Sequence, residues 1–319
     1  MATGNPTTDI YPLLAKSLTR NLTDAYKELP GKWQTMVHGN TTTRRFEDSM
    51  TWIGRGLPVA RDPREGLTYD GVRPNFSTRI LMGGYTQADC LAEEDIMDDQ
   101  WGMLTRWAAA RGGEFAVAWR TLEEVQVFNY LAVTAFATAP VSGSPDGQPY
   151  ASNSHPMSAA DTTTTFDNLL AADLSPTSFR QAIVMLQKQL RPNGITFMYN
   201  EPSKLLVNPD NYEMAIRLVR NDFEVDSADR NINVDKGACQ IISTPYFKLA
   251  GTLGAAASPV LYNGWVLQGK THFFEWYWRE KPIFREWADE NIRSRVYASH
   301  ARFGLAHEDP RGMIFGSGT

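Results

Sequence analysis

Residues Glu93 to Phe136 read EEDIMDDQWGMLTRWAAARGGEFAVAWRTLEEVQVFNYLAVTAF. Leu104, Ala108, Phe115, Ala118, Leu122, Val125, Ala132 and Phe136 recur at helical spacing, with Trp107 and Trp119 alongside, so the spacing predicts one amphipathic helix over the whole stretch. Asp95, Asp98 and Asp99 crowd its first turns, where the positive end of the helix dipole favours carboxylates, and Pro140 follows its end. At 1.5 Å per residue such a helix is about 60 Å long, two to three times the usual length in a globular domain. Gly112 and Gly113 fall mid-run, each about 1 kcal/mol worse than alanine, which predicts a kink. A compact enzyme rarely needs such a rod, so its neighbours in the sequence decide what it is for.

Upstream, Tyr11 to Leu29 places Leu14, Leu18, Leu22, Ala25 and Leu29 on one face of a helix that Pro30 and Gly31 close. A single apolar stripe on a terminal segment must find a partner surface, on its own domain or on a neighbouring chain. Residues 1–45 are therefore read as an arm, with Leu14, Leu18, Leu22 and Trp33 as candidate contacts between subunits. Between arm and helix lies FEDSMTWIGRGLPVARDPREGLTYDGVRPNFSTR (46–79), rich in Gly and Pro, alternating in charge, with little apolar material between turns. It cannot form a core, and its turn chemistry suits an extended hairpin projecting from the body. Trp52, Arg55, Arg61, Asp62, Arg64, Glu65, Tyr69 and Arg73 are its candidate contacts with another molecule.

Downstream, a turn-rich passage (139–168) precedes Leu174-Ser175-Pro176, an N-cap serine and first-position proline that start a helix running to Arg191. Lys204 to Val207 reads as a strand, Asn208-Pro209 as the start of another helix, and Cys239 to Ser243 and Trp265 to Gln268 as strands. HFFEWYWREKPIF (272–284) reads as an aromatic strand, and the C-terminal stretch as one more strand followed by a Gly-rich tail. One spine helix, shorter helices and antiparallel-looking strands indicate the α+β class.

Composition narrows the function. The 319 residues are 42% hydrophobic and 21% charged, ordinary for a soluble globular protein, and no apolar run approaches the ~18 residues of a membrane span. No basic region leads into an apolar core at MATGNPTTDIYPLL, which predicts cytoplasmic synthesis without a signal peptide. A net charge of −5 supplies no general basic field for gripping nucleic acid. Cys90 and Cys239 are far apart and outside any CxxC or Cys/His cluster, which argues against a disulfide framework or zinc site. The sequence has no P-loop, GxGxxG after a strand, HExxH or GxSxG, and its five histidines are scattered singly. Asp95, Asp98 and Asp99 lack calcium-loop spacing. No catalytic residue, cofactor or metal site is expected, and His155 between Ser154 and Pro156 is expected to fix a loop.

The order of these elements resembles the major capsid protein of tailed bacteriophages, the Hong Kong 97-type shell fold, and is most similar to the Mu-type major head subunit family. The likeness is carried by IMDDQWGML (96–104), SNSHPM (152–157), NLLAADLSPTSFRQAIVMLQKQ (168–189), PSKLLVNPDNYEMAIRLV (202–219) and ARFGLAHEDPRGMIFGSGT (301–319), in that order. The resemblance implies an N-arm (1–45), an E-loop with lead-in strand (46–92), a peripheral-domain spine helix (93–140), an axial domain (141–271) and return strands to the peripheral domain (272–319). It also implies self-assembly, as pentamers and hexamers, into an icosahedral shell around double-stranded DNA, made in the host cytoplasm and carried in the virion. Separate scaffolding and portal proteins are the expected partners, a decoration protein is allowed, and DNA meets the inner face without sequence-specific binding and without a membrane. Residues 46–90 hold no lysine, so the lysine-to-asparagine crosslink of some relatives is not available from the E-loop. The competing readings are an encapsulin-like nanocompartment, which shares the fold, and an unrelated soluble enzyme using His155 or Cys239.

Overall fold

Helix α1 (Pro6–Glu28) lies along helix α2 (Met103–Ala132), which is 30 residues long and unbroken through Gly112 and Gly113. The computed structural model describes residues 6–29, 31–58, 60, 61, 64, 66, 69–71, 73–92, 94, 95, 98, 103–136, 144–224, 231–247, 263–291 and 293–318. The helix described begins ten residues later than its periodicity suggests and has no acid in its first turn; Asp95 and Asp98 precede it, and Asp99 lies outside the described residues. Periodicity marks which residues face a core, but not whether the hydrogen-bond ladder is continuous.

The glycines mark a close approach rather than a kink. A Cβ on Gly112 would stand 2.6 Å from Asn21 Cβ and 3.3 Å from the Leu18 carbonyl oxygen, so the two helices touch there backbone to backbone. That contact sends the leucine stripe of α1 inward: Leu14 (4% exposed), Leu18 (0%) and Leu22 (5%) pack with Leu91, Ala108, Phe115 and Tyr297. The stripe finds its partner on its own chain, which corrects its reading as a contact between subunits. Gly112→Val should cost about 1–3 kcal/mol by overpacking and make α1 the first site of proteolysis; equal protease resistance of variant and wild type would contradict the close contact.

Strands β1 (His38–Thr41), β2 (Phe46–Ile53), β3 (Arg73–Leu81) and β4 (Gly83–Ala92) precede α2. After it come β5 (His155–Pro156), β6 (Thr165–Phe166), β7 (Leu169–Leu170), α3 (Pro176–Lys188), β8 (Pro202–Val207) and α4 (Tyr212–Val219). The last strands are β9 (Gln240–Ser243), β10 (Trp265–Gly269), β11 (Phe274–Asp289), β12 (Ser294–His307) and β13 (Met313–Gly316). A four-stranded sheet runs β1-β11-β12-β4, a five-stranded sheet runs β7-β13-β10-β8-β9, and β2 pairs with β3 and β5 with β6 in two-stranded sheets.

The aromatic strand alternates as a half-buried strand should: Phe274 and Trp276 are fully buried while Glu275 and Tyr277 face the other side. Trp276 lies 4.4 Å from Trp33 on one side and is stacked 4.4 Å from Phe303 on the other, and Phe303 stacks on Tyr85 at 4.5 Å. This ladder crosses β11, β12 and β4, each pair adding about 0.5–1.5 kcal/mol to simple burial. It also places Trp33, 3% exposed, in the core rather than on an interface. Pro282, which has no N–H for the ladder, falls where the β11–β12 register shifts, between Glu280 and Ile283.

The five-stranded sheet is buried on both faces. Leu205, Val207, Trp265, Leu267 and Ile314 meet α3 and α4, while Leu206, Val266, Met313 and Phe315 join the core containing Phe128, Leu131 and Ala132 of α2. The long helix therefore serves both sheets, Phe115 and Trp119 at the first and its last turns at the second, which accounts for its length. Ser175 caps α3 through a box with Ser178 and Pro176 stands in the first turn, as the sequence indicates, although the helix ends at Lys188 rather than Arg191. Helix α4 starts at Tyr212, after a turn in which Asn211 N–H donates to Asn208 Oδ1 at 2.9 Å. The C-terminal stretch is not a tail: all four residues of β13 are buried, and the strand joins the second sheet, between β10 and β7, rather than returning with β11 and β12 to the first.

Candidate assembly surfaces

FEDSMTWI alternates along β2 so that Phe46, Asp48, Met50 and Trp52 point one way. The pairing with β3 sets Leu81 opposite Phe46, Arg79 opposite Asp48 and Pro74 opposite Trp52 on that same face. Phe46, Met50, Trp52 and Leu81 are 40, 49, 57 and 59% exposed, a set of apolar side chains on the face turned away from the subunit. Among them lie Ser77, opposite Met50, and the Arg79–Asp48 pair, whose guanidinium donates at 2.6 and 3.0 Å and lies 4.4 Å over the Phe46 ring. The opposite face rests on the chain itself, where Asn75 Oδ1 accepts from Ala159 N–H at 2.8 Å and Ile80 is buried.

The tip is closed by Asp70 Oδ2, which accepts from Gly56 N–H at 2.8 Å, and is held by Asn193 Nδ2 donating to the Arg55 carbonyl at 2.8 Å. Arg55, Arg61, Arg64 and Arg73 are exposed there, with Leu57 (62% exposed) and Tyr69 (89%). Asp62 and Glu65 lie outside the described residues. Of the twelve interface candidates, the hairpin members described here are thus gathered on one projection, while Leu14, Leu18, Leu22 and Trp33 are core.

Two exposed groups escaped the sequence reading. Phe223, Ile232 and Val234 (52, 78 and 76% exposed) stand around an isolated bridge between Phe223 and Ile232, and Phe197 and Tyr199 stand together near α3. Each is short and irregular, so no periodicity marks it. Glu123 was also missed: it shares the inward row of α2 with Trp119 and Val127, where Leu122 and Val125 were expected. It is fully buried and accepts from Tyr26 Oη, from Trp33 Nε1 at 2.9 Å and from Arg120 at 3.0 Å. Burial raises its carboxyl above the usual range against the pull of these donors. The four-residue spacing from Trp119 through Glu123 to Val127 was the available signal.

Neither site weighed for chemistry is set up for it. His155 lies 2.6 Å from Asp146 Oδ2 and 3.2 Å from the Tyr150 carbonyl, with the His155 and Asp146 side chains 0 and 1% exposed. Burial opposes the Asp146 charge, but His155 and the Gln148 N–H hold its carboxyl below the usual range. Burial lowers His307 to about 3, so its ring is neutral where Tyr130 Oη meets Nδ1 at 2.7 Å. Burial pushes the Cys239 thiol up to about 12, far from a thiolate at neutral pH. Among the described residues no group of three or more His, Cys, Asp or Glu could hold a metal ion, and no helix is long and apolar enough to cross a membrane.

A family model described as phage capsid protein matches residues 87–314. No curated protein matches the sequence. The fold is similar to that of the bacteriophage PhiM1 mature capsid (TM-score 0.57, 14% identity, covering 91% of this chain and 88% of that one). It is similar also to the capsid of Ralstonia phage GP4 (0.54, 12%, 89 and 87%) and to a virus-like particle from Pyrococcus furiosus (0.50, 10%, 94 and 98%). At such identities these likenesses show the fold, an α+β capsid fold of the Hong Kong 97 type.

Proposed function

The chain belongs to the phage capsid protein family and is a shell-building protein, and on that premise we propose that it is the major head subunit of a tailed phage. Copies close into an icosahedral shell of pentamers and hexamers around double-stranded DNA. The observation that carries this reading is the hairpin. A two-stranded sheet is marginal in water by itself, and this one turns apolar side chains away from its own subunit and exposes arginines at its tip. A subunit that meets several kinds of neighbour around five-fold and six-fold positions is served by such projections better than by one flat patch. Many modest contacts then add through multivalency, each weak enough to be corrected during closure.

On the same reading the hairpin is the E-loop, 93–140 the spine of the peripheral domain and 141–271 the axial domain, and the ordered short motifs support a place near the Mu-type subunits. The chain works without catalysis, cofactor or metal, assembles in the host cytoplasm and remains in the virion. Scaffolding and portal functions fall to separate proteins, and a decoration protein is compatible. The net charge of −5 suits an inner wall that packaged DNA must not stick to. Negative-stain electron microscopy of the purified protein tests the reading. Uniform closed shells are expected; monomers at all concentrations and salts would refute it, and shells enclosing a protein cargo in place of DNA would move the assignment to a cellular nanocompartment.

A further inference from the structure

The hairpin leaves the body through two short links, residues 42–45 into β2 and Met82 between β3 and β4, and Met82 N–H donates to the Arg45 carbonyl at 3.1 Å to tie them together. Its base then crosses the outer face of the β11–β12 pair. Ile80 and Met82 pack on Ala306 and Tyr277, and a Cβ on Gly304 would stand 2.7 Å from the Leu81 carbonyl oxygen. Carboxylates gather at this crossing. Glu275 is opposite Ala306 in register, and Glu308, two residues on, shares that face diagonally. Glu308 Oε1 accepts from Tyr277 Oη at 3.3 Å, and Glu275 Oε2 accepts from Asn40 Nδ2 at 2.5 Å. The hairpin brings a third carboxylate, Glu47 of β2, which accepts from Thr42 and lies 3.5 Å from Arg44, 77% exposed. From β1, His38 stands opposite Glu275 in register with its ring stacked on His272. Among the described residues neither Glu275 nor Glu308 pairs with a lysine or arginine.

We propose that Glu275, Glu308 and Glu47 form a proton-operated hinge that sets how firmly the hairpin base is seated on the sheet. When Glu275 is protonated, the base lies over a neutral Glu275–Asn40 pair and one carboxylate, Glu308. When it ionises, two neighbouring like charges lie under a strand whose own carboxylate, Glu47, is already paired with Arg44, and lifting the base lets water relieve their burial and mutual repulsion. Burial first, and the Glu308 charge after it, push Glu275 up to about 7, against the Asn40 amide. Burial and the same carboxylates raise the Tyr277 hydroxyl, so it stays protonated and does not take over the charge. A carboxyl raised in the seated state favours seating fully below the ordinary glutamate value of about 4.3. That advantage falls away as pH climbs and is gone above about 7. The hinge is a property of one chain and holds whatever the hairpin touches.

Hydrogen–deuterium exchange of the full chain between pH 5 and 8, expressed as protection factors, tests it. Protection of Phe46–Ile53 and Arg73–Leu81 should fall roughly tenfold over this range, the effect of about one discounted pKa unit, while α2 stays constant. In Glu275→Gln the hairpin should remain protected at pH 8, and in Glu308→Gln, which retains the switching carboxyl, a smaller fall should persist with its midpoint moved to lower pH. A flat wild-type profile, or a wild-type fall retained in Glu275→Gln, overturns the proposal. Should Glu275→Gln lose protection in α2 as well, Glu308→Gln decides, and an unmoved midpoint there overturns it.

Discussion

A Met50→Ser, Trp52→Ala variant is expected to melt within about 2 °C of the wild-type subunit while yielding few closed shells. The two effects separate because the side chains do different work in the free and assembled chain. In the subunit, Met50 and Trp52 are 49 and 57% exposed on the outward face of the hairpin, so truncating them opens no cavity and strands no polar group. At a contact between copies an apolar row centred on tryptophan is the usual seat of binding energy, and loss of such an anchor costs about 2–4 kcal/mol. A shell repeats the contact in every subunit, so its loss multiplies. Reversing Arg61 and Arg64 to glutamate should act in the same direction and more weakly, with a salt dependence, since rim charges are screened within about 8 Å at physiological ionic strength. Calorimetry set against sedimentation of particles makes the comparison; undiminished particle yield in the first variant would show that the row is not an assembly contact.

Arg311→Ala is expected to act on the subunit itself, by about 3–5 kcal/mol. Arg311 is 2% exposed and donates to both Asp309 oxygens at 3.0 and 2.9 Å, to the Leu190 carbonyl at 2.7 Å and to the Met157 carbonyl at 2.6 Å. Its guanidinium also lies 4.3 Å over the Phe166 ring. One side chain thus joins the segment after α3, the β5–β6 turn and the approach to β13. Alanine leaves the Asp309 carboxylate buried without its cation and two carbonyls without donors. Lysine, a point charge with no planar fork, should recover only part of the loss. Urea midpoints for the three proteins report this; a shift equivalent to less than about 1 kcal/mol for alanine would mean that water replaces the guanidinium.

Much of the fold is legible in the sequence because it is periodic. The stripe Leu14, Leu18, Leu22, the capped start at Ser175-Pro176 and the alternation of Phe274, Glu275, Trp276, Tyr277 each report a buried face directly. Which surface a face meets is not periodic, and there the reading fails: the same leucines that mark an arm pack against α2 of their own chain through the approach at Gly112. The hairpin was legible as a projection from its glycines, prolines and charges, yet its exposed apolar face was not. Trp52 stands out, but Phe46 and Met50, four residues apart on the same alternating face of FEDSMTWI, are diluted by polar neighbours below the density that draws notice. MIFG is too short, and too close to glycines, to read as a strand, and only its burial between two others reveals its role.

That last strand has a consequence for synthesis. β10 takes β8 on one edge and β13 on the other, so when residue 269 has been made one edge of the sheet stays bare until residue 316 follows. At a ribosomal rate of ~5–20 residues per second that wait is on the order of several seconds. Throughout it the apolar faces of Val266 and Leu206 lack Phe315 and Met313. A nascent chain therefore presents an uncovered strand edge and apolar side chains until β13 arrives, and a chain released early cannot complete the second sheet. Chains that stop short of β13 are therefore expected to fail at folding before they can join a growing particle.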